Sequence, residues 1–110
     1  MEYDCTTAPH TKEQEELLRI IEYYGPEHQL LKLTEEFGEA TQAIIKYMTS
    51  TLSDDLSELY THLREELEDV RILLDQMEAY IGRDYTVRKY KIQRTLERIQ
   101  KDKEAKNVER

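Results

Sequence analysis

"LSELYTHLREELEDVRILLDQMEAYI", residues 56–81, decides how the rest of the chain is read. Leu56, Leu59, Leu63, Leu67, Val70, Leu74, Met77 and Ile81 follow one another at steps of three and four. Residues of an α-helix advance about 100° each, so this spacing lines up one apolar face, which the alternation of a strand would not do. The segment reads as one long helix, or as a short helix over roughly its first ten residues followed by a longer one. Ser53 or Asp54 can cap its start, and Gly82 closes it.

Outward from that stretch the same punctuation recurs. Thr11, with Gln14 three residues on, forms a capping box before Leu17, Leu18, Ile20 and Ile21. "YYGPE" (23–27) ends this first helix: Gly25 suits a C′ position and Pro26 the start of the next helix. A second helix runs from about Pro26 to Met48, and "TSTLSDD" (49–55) breaks it. Asp84 or Thr86 starts a fourth helix, expected to fray into "KDKEAKNVER" (101–110). The reading is all-α, a helical bundle of about four helices, with a flexible leader at 1–10, a folded domain at 11–100 and a charged tail at 101–110.

With 110 residues the chain makes one domain, yet only 38% of it is hydrophobic against 36% charged. So thin an apolar supply suits amphipathic helices that complete their burial against a second subunit, and a homodimer or a tetramer of paired dimers is expected. Cys5, the only cysteine, lies in the leader, which excludes an intrachain disulfide and fits a reducing compartment. No apolar run approaches the roughly 18 residues of a membrane span, so the expectation is a cytoplasmic protein with no membrane contact. The net charge of −8 is split: residues 1–82 hold 6 Lys/Arg against 19 Asp/Glu, net −13, and residues 83–110 hold 10 against 5, net +5. Mutual attraction of the two segments accounts for such a split. The short basic stripe on an acidic body argues against nucleic acid as a partner.

The second helix contains "KLTEEFGEATQAIIKY" (32–47), with a carboxylate on its apolar line. Taking Glu36 as zero, Ala40, Leu33, Tyr47 and Ile44 fall between roughly +20° and +80°, Ala43 near −20° and Glu39 near −60°. Taking Glu66 as zero on the third helix, Met77, Val70, Leu63, Ile81 and Leu74 fall between roughly +20° and +80°, and Asp69 near −60°. Antiparallel packing through these stripes brings four carboxylates to one edge of the seam. Close like charges raise one another's pKa, and a hard divalent cation on oxygen ligands, Mg²⁺ or Mn²⁺, compensates them. Ala40 and Ala43 leave room for an ion. The Glu-x-x-His pairs of carboxylate di-iron bundles are absent, since none of His10, His28 or His62 follows a Glu by three. Gly38 costs the helix ~1 kcal/mol relative to Ala. It lies near 200° between Leu31 and Ile45, a second contact line for the first helix or another subunit.

"LTEEFGEATQAIIK" followed by "REELEDVRILL" resembles the MazG-like branch of the all-α nucleoside triphosphate pyrophosphohydrolases, marked by EExxE on one helix and ExxD on the next. The resemblance spans about residues 28–98. It implies Mg²⁺-dependent hydrolysis of a nucleoside triphosphate between the α and β phosphates, giving a monophosphate and pyrophosphate. By the same resemblance Glu36, Glu39, Glu66 and Asp69 are the Mg²⁺ ligands; a free carboxylate can take the proton of the attacking water, and Glu39 is the one expected to do so. Glu35, the motif's first carboxylate, points about −100° from the seam and has a supporting catalytic or structural role. Lys91, Arg94 and Arg98 form a stripe where relatives place phosphate-binding residues, although Thr95 stands where Asn is commoner. Tyr47 is the candidate for stacking on a base, with His28 a weaker one. A narrower dUTP or dCTP pyrophosphatase, or a non-catalytic helical interaction or regulatory module, are the rival readings.

Overall fold

The computed structural model of the chain describes residues 11–51 and 55–108. The leader with Cys5 and His10, and the cap candidates Ser53 and Asp54, lie outside the described residues. Within them are four helices and no strand: α1 (Lys12–Tyr24), α2 (Pro26–Met48), α3 (Leu56–Ile81) and α4 (Tyr85–Val108).

Local chemistry sets the helix ends. Thr11 Oγ1 accepts from the Gln14 N–H at 3.1 Å, and Gln14 Oε1 accepts from the Thr11 N–H at 2.8 Å, completing the capping box. Gly25 (φ 89, ψ 152) and Gly82 (φ 68, ψ −168) follow α1 and α3 in a backbone region essentially reserved for glycine. Asp55 caps α3, accepting from the Glu58 N–H at 3.2 Å, and the helix is continuous, so the division into two helices does not occur. Asp84 caps α4 through the Val87 N–H at 2.9 Å. Contrary to the expected fraying, α4 continues to Val108. Its last turns are rich in Lys, Glu and Ala, good helix formers, and Gln100 Nε2 donates to Glu104 Oε1 at 3.3 Å.

α2 and α3 lie antiparallel: Gln29 meets Gln76 at one end of the seam, and Tyr47 meets Tyr60 at the other. The core consists of Ile21, Leu33, Ala40, Val70, Leu73 and Met77, with Leu18 and Leu67 packed against it. Of these Ile21 is fully buried. The seam differs from the expected stripe on α3. Leu74 and Ile81 are 46% and 75% exposed, while Leu73 and Gln76 are buried. α1 packs on α3 as well as α2, so α3 serves two neighbours and its buried arc shifts toward Leu73 and Gln76, keeping Val70 and Met77. On α2, Leu33, Ala40 and Ala43 are buried as expected, but Ile44 and Tyr47 remain exposed.

α4 stands apart. Among the described residues it makes no packing contact with α1, α2 or α3 and buries no residue. Three helices therefore form the bundle and the fourth projects from it. The radius of gyration is 19.3 Å, against about 13 Å for a compact chain of this length. A methyl group placed on Gly38 would meet nothing within 4 Å, so α1 is not its close neighbour. Among the described residues no helix is long and apolar enough to cross a membrane.

Candidate metal centre

Glu36 is held midway along α2 between the buried Leu33 and Ala40, and is itself only 6% exposed. The rotation that buries those two neighbours also turns Glu36 into the seam, while Glu39 stays exposed at the margin. From α3 the half-buried Glu66 faces them. One carboxylate oxygen from each of Glu36, Glu39 and Glu66 lies within 4.8 Å of the other two.

Two of the oxygens are orphaned. Glu36 Oε2 and Glu66 Oε2 are buried with no hydrogen-bond partner. Buried acceptors in folded proteins are nearly always satisfied, and leaving one unpaired costs about 1–3 kcal/mol or more when charged. Glu36 Oε1 has Lys32 Nζ at 3.3 Å. His62 Nε2 lies 3.7 Å from Glu66 Oε1, too long for a hydrogen bond and an ion pair only when the ring is protonated.

The electrostatics follow this geometry. Burial pushes the Glu36 carboxyl above its ordinary value of 4.5 and Lys32 works against that shift. Glu39, close enough to share a proton, and the charge of Asp69 raise it further. The contact of Lys32 with Glu35, followed by that with Glu36, raises its ammonium above the ordinary value.

Asp69 is placed differently from its three partners. It is exposed and lies outside the close triad, acting on Glu36 through its charge alone. At the margin of the seam, and one methylene shorter than Glu, it falls short of the others. Glu35 is exposed and points away from the seam, with its Oε2 3.3 Å from Lys32 Nζ.

Lys91, Arg94 and Arg98 lie on α4, which the structure does not bring to the carboxylates of the same chain. The Arg94 guanidinium stands 5.7 Å from the centre of the Tyr90 ring. Tyr47 is half-exposed with its ring 6.0 Å from that of Tyr60, and lies about 16 Å of helix rise from Glu36. His28 is at the opposite end of the seam, stacked on Tyr24 at 4.9 Å with its Nδ1 2.7 Å from Gln29 Oε1.

Lys32 and His62 stand beside the carboxylates, a placement not expected from the sequence, where His62 is weighed only as the end of a Glu-x-x-His pair. Each stands four positions before a triad glutamate, the spacing that puts side chains over one another on a helix. That spacing was a usable signal.

Three oxygen donors, with two unsatisfied buried oxygens among these side chains, could hold a metal ion. No protein-family model, curated protein or solved structure matches this chain.

Proposed function

We propose that the chain is a Mg²⁺-dependent nucleoside triphosphate pyrophosphohydrolase, Mn²⁺ being the alternative ion, working as a homodimer or tetramer. The observation that carries the reading is Glu36: a carboxylate 6% exposed, with an unpartnered buried oxygen, facing two further carboxylates. Burying a charged carboxylate is costly unless it is paired, and Lys32 reaches only one of the two Glu36 oxygens. The reaction itself rests on the resemblance of the EExxE and ExxD segments.

A bound divalent cation supplies charge neutralisation of the triphosphate and a lowered pKa for a coordinated water. The chain's own residues do the rest. Glu36 and Glu66, fixed on two packed helices, would hold the ion, with Glu39 completing the set and Asp69 adding charge at the margin. Glu39, the most accessible of the triad, is placed to take the proton of the attacking water as the bond between the α and β phosphates breaks. Glu35 would act through Lys32, sharing that ammonium with Glu36. By the resemblance Lys91, Arg94 and Arg98 on α4 are the phosphate-binding stripe, and Tyr47 with Tyr60 offers a stacking surface for a base.

The test is pyrophosphate release over a panel of NTPs and dNTPs, dUTP and dCTP included, with Mg²⁺. Wild type turns over at least one of them, and Glu36→Gln lowers the rate by about 10²-fold or more, whereas Asp69→Ala costs about tenfold. Wild-type turnover in Glu36→Gln would refute the site. A non-catalytic interaction module is favoured instead by the apolar surface left exposed on α2 and α3. That reading predicts no turnover and a melting temperature indifferent to Mg²⁺.

A further inference from the structure

The α2–α3 pair has two unlike sides. In an antiparallel pair, residues rotated in the same sense from the facing line lie on the same side. Glu39 and Asp69 are rotated one way, by roughly 60° from Glu36 and Glu66. Leu30, Phe37 and Ile44 on α2, with Leu56, Leu74 and Ile81 on α3, are rotated the other way by roughly 60–120°. All six are exposed. They form an uncovered apolar side opposite the acidic one, larger than scattered surface leucines would give.

α4 carries an apolar line with nothing to sit on. Tyr85, Ile92, Leu96 and Ile99 fall within roughly 60° of one another around it, all exposed. At 24 residues it is about 36 Å long, close to the 26 residues of α3.

Charge selects the occupant. The segment containing α4 carries +5 and the rest of the chain −13. Pairing two copies of α4 would bring two +5 segments together, and like charges repel. Pairing two bodies apolar side to apolar side would bring two −13 segments together. Placing α4 of one copy on the body of another joins opposite charges and covers both apolar surfaces at once.

We propose that two copies of this chain exchange their α4 helices, each α4 docking along the uncovered apolar side of the partner's α2–α3 pair. The exchange is reciprocal, so the two contacts are identical and the assembly closes as a dimer. It is independent of any catalytic activity.

The test uses the full chain and two double variants, each altering exposed residues: Phe37→Glu with Ile44→Glu on the body, and Ile92→Glu with Leu96→Glu on α4. Circular dichroism checks that both keep their helices, and sedimentation equilibrium reads the mass. Wild type is a dimer and each double variant alone is a monomer, its association weakened by about 30-fold or more. Mixing the two variants restores association, because the intact α4 of one meets the intact body of the other. A monomeric wild type overturns the proposal. An α4 variant that still dimerises shows body-to-body pairing, a body variant that still dimerises shows α4-to-α4 pairing, and failure of the mixture to associate shows that the exchange does not occur.

Discussion

α3 and α4 are similar on paper: 26 and 24 residues, both capped by an aspartate, both with apolar residues at helical spacing. In the molecule they differ completely. α3 buries Val70, Leu73, Gln76 and Met77 against two neighbours, and α4 buries nothing. Amphipathic spacing states that a helix has a side to cover, and is silent on which chain covers it. α3 is stabilised by tertiary packing, as most protein helices are. α4 has its cap and its helix-forming composition, and its apolar line remains available to a partner.

The contrast is broken or sharpened most strongly by truncating one isoleucine in each region. Ile21→Ala removes the fully buried side chain where α1 meets the seam, and should lower unfolding stability by about 2–5 kcal/mol in denaturant titration. Ile92→Ala on α4 should change it by no more than about 0.5 kcal/mol in dilute solution. At concentrations where copies associate, the Ile92 variant should fall behind wild type. Equal losses from both substitutions at high dilution would mean that α4 packs within its own chain.

This difference also marks how much the sequence could tell. The limits of α2 and the end of α3 were legible because glycine and proline act locally, as at Gly25, Pro26 and Gly82, whereas the cap of α3 fell one residue later than expected, on Asp55. The burial of Glu36 beside an exposed Glu39 was legible because 100° per residue is enough to separate them. Leu74 was misplaced because the direction from which α1 approaches α3 depends on long-range packing, which turned Leu73 inward instead. Asp69 was set equal to Glu39 by angle, but angle ignores the reach of the side chain. Lys91, Arg94 and Arg98 could be placed on one stripe, while their separation from the carboxylates depends on where α4 points.

A smaller effect belongs to the polar part of the seam. Gln29 Nε2 donates to Gln76 Oε1 at 2.8 Å, and both residues are buried. Gln76→Leu leaves the Gln29 amide without that partner and should cost about 1–3 kcal/mol. Replacing both by Leu should recover most of the loss, because the second substitution removes the orphaned group. A double variant as unstable as the sum of its parts would show that packing around the amides, and not their hydrogen bond, matters at this end of the seam.

The smallest effect is a trend with pH, and it originates in the seam. Burial raises the folded pKa of Glu36 above its ordinary 4.5, so between 4.5 and the raised value the folded chain binds more protons than the unfolded one. Linkage then makes this group's contribution to stability fall as pH rises through that window, the reverse of a salt-bridged carboxylate. Gln cannot ionise, so Glu36→Gln should match wild type near the acid end, and its melting temperature should pull ahead as pH rises, the gap levelling off above the folded pKa. Lys32 opposes the shift, so adding Lys32→Met to both chains should widen the gap between them. Mg²⁺ prefers the ionised carboxylate and should close it. A gap that shrinks with rising pH in metal-free buffer would mean that Glu36 is stabilised as an anion by its surroundings, leaving a cation nothing to compensate.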